Sequence, residues 1–216
     1  RKNIFGYSFV AFSSLAIAIF GFLVWAHHLF VAGISIYSAM VFSFLTYAVA
    51  IPSAVKTFNW AATLYRGAIW MKAPMIWAIC FLGLFLVGGL TGLFTASLGV
   101  DPHIHDTYFV VAHLHYVLFG GSVFTIYAGI YYWFPKMTGR MFNEVLGKWH
   151  FWLTFVGTQI TFMPMHWQGL QGMPRRVADY DPRFETVNAI ETVGSYMLGI
   201  ATIIFFYNVY WSLKHG

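Results

Sequence analysis

The sequence predicts an all-α membrane protein, a bundle of six transmembrane helices. Three observations carry that prediction. Hydrophobic residues make up 59% and charged residues only 9% of the 216, where a soluble domain has roughly 45–50% and about 25%. The apolar residues also gather into six long runs, and a spanning helix needs about 20 such residues. Finally, the runs lack the period-two alternation of barrel strands.

The runs cover residues 5–30, 35–60, 74–97, 107–134, 149–168 and 187–212. The first ends at His27 and His28, with Gly33 just beyond to terminate it. The second carries Pro52, which predicts a kink, and Lys56 in its inner half. The third contains Gly88-Gly89-Leu90-Thr91-Gly92, read as close helix packing and not as a nucleotide loop. The fourth opens at Asp106 and holds His113 and His115 in its outer half. The fifth has a second kink residue, Pro164, with His166 beside it as a polar contact. His150 and Glu144 read as loop or helix-start residues. The sixth begins near Glu191, an expected interfacial residue. The whole is expected to form a single membrane domain, 1–216.

Charge sets the orientation. Arg1, Lys2, Arg66, Lys72, Lys136, Arg140, Lys148 and Lys214 fall on one side, which the positive-inside rule assigns to the cytoplasm or matrix. The other, outer side has Arg175, Arg176 and Arg183 together with Asp101, Asp106, Asp179, Asp181 and Glu185. Arg175 and Arg176 oppose the topology bias, which points to another task. The net charge of +5 thus speaks to the bilayer and not to nucleic acid. A single cysteine, Cys80, rules out an internal disulfide or a cysteine-rich metal site. The opening on Arg1, without Met or a targeting segment, predicts a piece of a longer or split subunit.

Ionisable groups at membrane depth are costly and mark function. His27, His28, His113 and His115 are expected in one outer layer of the bilayer. Residues i and i+2 of a helix point ~200° apart, so His113 and His115 suit two neighbouring sites with Leu114 between them. His27 and His28 are ~100° apart, so a shared metal needs a distorted or ending helix. Imidazole suits copper, iron and zinc. Read singly, such a histidine is more often a hydrogen-bond partner between helices. Two pairs at one depth raise the metal reading to parity.

Five stretches then carry a resemblance. Trp25-Ala26-His27-His28, Ile51-Pro52-Ser53-Ala54-Val55-Lys56, the glycine motif at 88–92, His105-Asp106-Thr107-Tyr108-Phe109-Val110-Val111-Ala112-His113-Leu114-His115-Tyr116 and Gly172-Met173-Pro174-Arg175-Arg176 resemble subunit I of the haem–copper oxidases. They stand in the family's order and spacing across essentially the whole chain, and look most like the cytochrome c oxidase branch. The resemblance implies the last six helices of a twelve-helix subunit.

It also implies roles. His27 and His28 match two of the three ligands of copper. His113 matches the axial ligand of the high-spin haem, and His115 one axial ligand of the low-spin haem. Leu114 stands where the family often has Phe. His105 and Asp106 match a magnesium site, where a carboxylate is a suitable hard-cation ligand. Asp106 could instead cap the fourth helix. Asp101, Arg175 and Arg176 match the residues around the haem propionates, where paired guanidiniums hold carboxylates bidentately. His103 departs from the apolar residue usual there and reads as an exposed loop histidine. Lys56, with Ser53 one turn earlier, matches the lysine of a proton-input pathway, its alternative being a snorkelling Lys.

The implied protein is a terminal oxidase subunit of a bacterial plasma membrane or mitochondrial inner membrane. It would reduce O₂ to water with two haems, expected as haem a, and with copper and magnesium. The implied partners are cytochrome c, oxidase subunits II and III, the N-terminal half of subunit I and membrane lipid. The third copper histidine with its tyrosine, and the second low-spin haem histidine, are not in this sequence. A quinol-oxidising relative is the alternative within the family, against which Asp106 counts. A nitric oxide reductase is disfavoured by Lys56, and a membrane transporter would need none of the four histidines.

Overall fold

Apolar runs of this length must satisfy their own backbone, and they do so as helices. The computed structural model describes residues 3–216. Arg1 and Lys2, counted above as inner-side charges, lie outside the described residues. The elements are α1 (Tyr7–Leu23), a 3-10 turn (Trp25–Leu29), α2 (Ile36–Leu64), α3 (Ala73–Ala96), α4 (Asp101–Ile104), α5 (Tyr108–Leu114), a π segment (His115–Val123), α6 (Phe124–Thr138), α7 (Glu144–Leu170), a second 3-10 turn (Pro182–Phe184) and α8 (Glu185–His215). Among the described residues the β structure is one isolated bridge, Thr107 to Pro174. α2 and α7 run on as α-helix through Pro52 and Pro164.

Five helices are long and apolar enough to cross a membrane: Tyr7–Leu29, Ile36–Leu64, Ala73–Ala96, Tyr108–Thr138 and Pro182–His215. The run expected at 149–168 is α7. Its 27 residues are long enough to span, but it is not among the apolar five. The reason lies on its inward face, where Thr154, Thr158, Thr161, His150 and Gln168 are buried. The polarity that lowers its hydropathy points into protein.

Local chemistry ends the helices where they end. The Ser35 side chain accepts from Ser38 N–H to start α2, and Asn143 accepts from Val145 and Leu146 to start α7. Gly139 closes α6 at φ 70, donating to the Pro135 carbonyl, a conformation that favours glycine. Hydroxyls within the spans are satisfied internally. Ser14, Thr46, Ser53, Thr57, Thr63, Thr154 and Thr158 each donate to the carbonyl four residues back.

The chain divides into two units. In the first, 1–69 with 86–105, α1 packs on α2 and the Phe5 N–H donates to Thr63 Oγ1. Ser43 Oγ donates to the Ala96 carbonyl at 2.7 Å, which ties α2 to the end of α3. In the second, 70–85 with 106–216, α7 and α8 form the main seam. A Cβ on Gly194 would lie 2.4 Å from Thr161 Oγ1 and 3.0 Å from the Gly157 carbonyl oxygen, so two glycines bring these helices into backbone contact. Within the glycine motif of α3, Gly88 is buried while a Cβ on Gly89 would meet nothing within 4 Å. Close packing against α3 is also made by Gly120 of the π segment, whose Cβ would lie 2.9 Å from Leu84 Cβ.

The second unit's core is aromatic. Trp77 is fully buried against Phe124, Tyr127, His150 and Phe151, with ring centroids 4.9, 5.0, 4.9 and 5.2 Å away. His150 therefore is not a loop or surface helix-start residue. It is 1% exposed, and its Nδ1 pairs with the Tyr131 hydroxyl at 3.0 Å. Glu144 does begin a helix, and it also accepts the Ala73 N–H at 2.8 Å.

Candidate functional site: two imidazole pairs and an arginine clamp

In the first unit α1 stops at Leu23, and Trp25–Leu29 tightens into a 3-10 turn. This change at the helix end brings two consecutive imidazoles together. The rings of His27 and His28 meet edge to face at 4.2 Å, with their Nε2 atoms 3.0 Å apart. Thr46 of α2 sets the tautomer of one of them. Its hydroxyl proton goes to the Phe42 carbonyl at 2.6 Å, so toward His27 Nδ1, 3.1 Å away, Thr46 Oγ1 acts as acceptor. His27 then carries its proton on Nδ1 and its lone pair on Nε2, facing His28. Two imidazole nitrogens 3.0 Å apart are close enough to serve one ion, and imidazole is a donor that suits copper. Among the described residues no group of three or more His, Cys, Asp or Glu closes around a metal. The pair supplies two donors, and an ion held here takes its others from elsewhere.

The Thr46 contact makes a test. Thr46→Val removes the acceptor but keeps the shape. For a metal held at His27, the change is expected to weaken retention by about 10–100-fold, the usual cost of losing a ligand's orienting partner. Metal content after graded chelation measures it.

The first unit also holds Lys56 and Ser53. Lys56 Nζ sits 5.1 Å from the Trp60 ring centroid, and the Ser53 hydroxyl donates to the Val49 carbonyl at 2.9 Å. Asp101 is buried at 4% exposure, at the start of α4. Its Oδ2 lies 2.8 Å from His105 Nδ1.

In the second unit His113 lies in the last turn of α5 and His115 opens the π segment. The two thus straddle a change in helix type, and π turns recur at functional positions. His115 is strongly oriented. Its Nδ1–H donates to the Val111 carbonyl at 2.8 Å, and its ring stacks on Phe162 at 4.0 Å and 15°. Its lone pair is thereby on Nε2, the arrangement common in metal-binding histidines.

Asp106 is not the cap of α5. That position belongs to Thr107, whose hydroxyl accepts the Phe109 N–H. The Asp106 carboxylate instead receives Arg175, with Nε and NH2 donating to Oδ1 at 2.8 and 2.5 Å. The bridge around Thr107 and Pro174 fixes this register. Arg175 N–H donates to the Asp106 carbonyl at 2.9 Å, and Tyr108 N–H to the Met173 carbonyl at 3.0 Å. Asp106 and Arg176 both take left-handed backbone, φ 56 and 62, a strain that non-glycine residues bear where surrounding structure imposes it. Arg175 thus has a counter-charge that linear reading did not pair with it, 69 residues away. Arg176 is exposed.

Sequence reasoning missed the polar interior of the second unit. Glu191, near the start of α8, is buried inside the protein: it is 5% exposed, and Oε1 has no hydrogen-bond partner. His166 stands between the Phe109 and Tyr116 rings, 5.3 Å from each, and its Nε2 is likewise unpaired. The available signal was the run of Thr, Gln and His along α7.

A family model described as "Cytochrome C and Quinol oxidase polypeptide I" matches residues 1–197. The chain belongs to this family. It is 53% identical over 216 residues to cytochrome c oxidase subunit 1 of Synechocystis sp., covering 100% of this chain and 39% of that protein. It is 54% identical to the subunit of the same name from Thermostichus vulcanus, with the same coverage. It is 46% identical to that of Cereibacter sphaeroides, over 100% of this chain and 38% of the other. This family member therefore spans about two fifths of the length of these relatives. A solved heme-copper terminal oxidase dimer aligns with a TM-score of 0.78 at 21% identity, over 89% of this chain and 40% of that one, a likeness of fold. As a family member with five apolar spanning helices, the chain is an integral membrane protein.

Proposed function

We propose that this chain is the C-terminal, cofactor-holding part of a cytochrome c oxidase subunit I, in an enzyme that reduces O₂ to water with electrons from cytochrome c. The observation that carries the reading is the His27–His28 pair, with Nε2 atoms 3.0 Å apart and one tautomer set by Thr46, in a chain of this family. Bound haem iron and copper would supply the redox chemistry.

The chain's residues fit those groups. His27 and His28 offer copper two imidazole nitrogens 3.0 Å apart. His115 would offer Nε2 to a low-spin haem iron while Val111 and Phe162 hold the ring. His113, in the last turn of α5, would hold the iron of the high-spin haem, taken as haem a. Arg176 offers exposed guanidinium to the propionates. Arg175 contributes the donors it does not spend on Asp106, and Asp101, buried and paired with His105, is the carboxyl proposed near the high-spin haem propionates. Magnesium would take one oxygen of Asp106, the donor type it prefers, with the His105 imidazole as a softer second ligand. The remaining ligands, subunits II and III, and the N-terminal half of this subunit complete the enzyme. The cytochrome c oxidase names of the Synechocystis and Thermostichus relatives favour cytochrome c over quinol as the donor.

Lys56 and Ser53, on one face of α2 at i and i+3, would carry protons from the inner side. Lys56→Met is expected to slow turnover by about 10²-fold, the scale of a lost proton-transfer group, with haem spectra intact. Unchanged oxygen consumption would leave Lys56 as a side chain resting on Trp60.

The reduced-minus-oxidised spectrum of the intact complex tests the whole reading. Low-spin and high-spin haem bands with copper coupling are expected, and the band position assigns the haem type. A complex without haem absorption would overturn the reading in favour of a transporter.

A further inference from the structure

Between α7 and α8 the second unit buries polar atoms that the oxidase reading leaves unused. Gln168 is 0% exposed, and its Nε2 donates to Asn188 Oδ1 at 2.9 Å. That leaves Gln168 Oε1 and Asn188 Nδ2 buried without partners. Exchanging N and O in both amides changes which atoms are left over, but still leaves one donor and one acceptor. One turn along α8, on the same face as Asn188, Glu191 buries its own unpartnered Oε1. Three polar groups on two helices so tightly packed demand an occupant.

We propose that Glu191, Asn188 and Gln168 form a buried site for a proton and a bridging water. Glu191 stands there as a neutral acid. Its O–H donates to the water, Asn188 N–H donates to the same water, and the water donates to Gln168 Oε1. The three bonds match what buried waters usually make. Among the described residues Glu191 joins no ion pair, and buried carboxyls that lack a counter-charge neutralise. The groups around it agree. Tyr108 of α5 is within electrostatic reach. From α7, Thr161 Oγ1 donates to the Glu191 backbone carbonyl, and His166 turns toward Phe109 and Tyr116. On α8 itself the other acid, Glu185, is exposed in the first turn. None of these supplies a positive charge. By the charge topology the site lies toward the outer side, so it is a place for a proton to rest near that face.

Infrared spectroscopy of the intact oxidase complex tests this. The wild type should show a protonated carboxyl C=O band that shifts on deuteration, disappears in Glu191→Gln and moves in Glu191→Asp. A Glu191→Gln spectrum that differs only in carboxylate bands, or not at all, overturns the proposal. Should Glu191→Gln fail to assemble, Glu191→Asp and the water carry the test. An experimental map with a water bonded to all three side chains supports the site, and direct pairing of the three without water overturns it.

Discussion

Replacing His115 by Ala should erase the low-spin haem bands of the intact enzyme, and replacing His113 by Ala the high-spin ones. Haem iron without its protein imidazole loses both its anchor and its spin state. The His115 case is the sharper because so much of its surroundings does nothing but aim the ring. The Val111 carbonyl holds Nδ1–H, Phe162 stacks on one face, and Nε2 is left for the metal. Phe162→Leu makes the companion measurement. It keeps the nitrogen and loosens the ring, so haem is retained while the midpoint potential of the low-spin haem moves. Optical titration reads both outcomes. Spectra unchanged in His115→Ala would show that the ligand assignment is wrong.

Gly169→Ala should disable the second unit through its backbone. The added Cβ would fall 2.0 Å from Phe109 N and 2.6 Å from Phe109 Cα. Neither atom can swing aside as a side-chain tip could, so α7 and α5 must part. Overpacking of this kind typically costs 1–3 kcal/mol, and a main-chain clash belongs at the upper end, about 3 kcal/mol. Because α5 carries His113, the loss should also appear as lower haem occupancy. Gly89→Ala is the control. Its methyl meets no atom of this chain within 4 Å, so a change within ~0.5 kcal/mol is expected. The thermal midpoint of haem release and the yield of assembled complex measure both. Equal stability of the two variants would mean that the α5–α7 contact is looser than described.

Long apolar runs and sparse charge were enough to read the helices, because a chain in hydrocarbon has few other ways to satisfy its backbone. The four histidines were legible for the same reason, since ionisable residues at that depth stand out. The run 74–97 coincides with α3, Ala73–Ala96, whereas 149–168 begins five residues inside α7, Glu144–Leu170. α7 was harder. Its Thr, His and Gln residues lower its hydropathy while facing inward, and hydropathy does not say which way a side chain points.

What the sequence determined by itself, then, is the class of protein and its helical membrane architecture, and it singled out the histidines proposed as ligands. Tertiary structure decided the rest. It brought Arg175 onto Asp106, gave the α5 cap to Thr107, turned His27 and His28 toward each other on a 3-10 turn, and sank His150 and Glu191 into the interior. These outcomes depend on which side chains meet across helices, on hydrogen bonds spanning tens of residues and on glycines that let backbones touch. Local pattern is set by the period of one helix, whereas those contacts are set by how several helices pack.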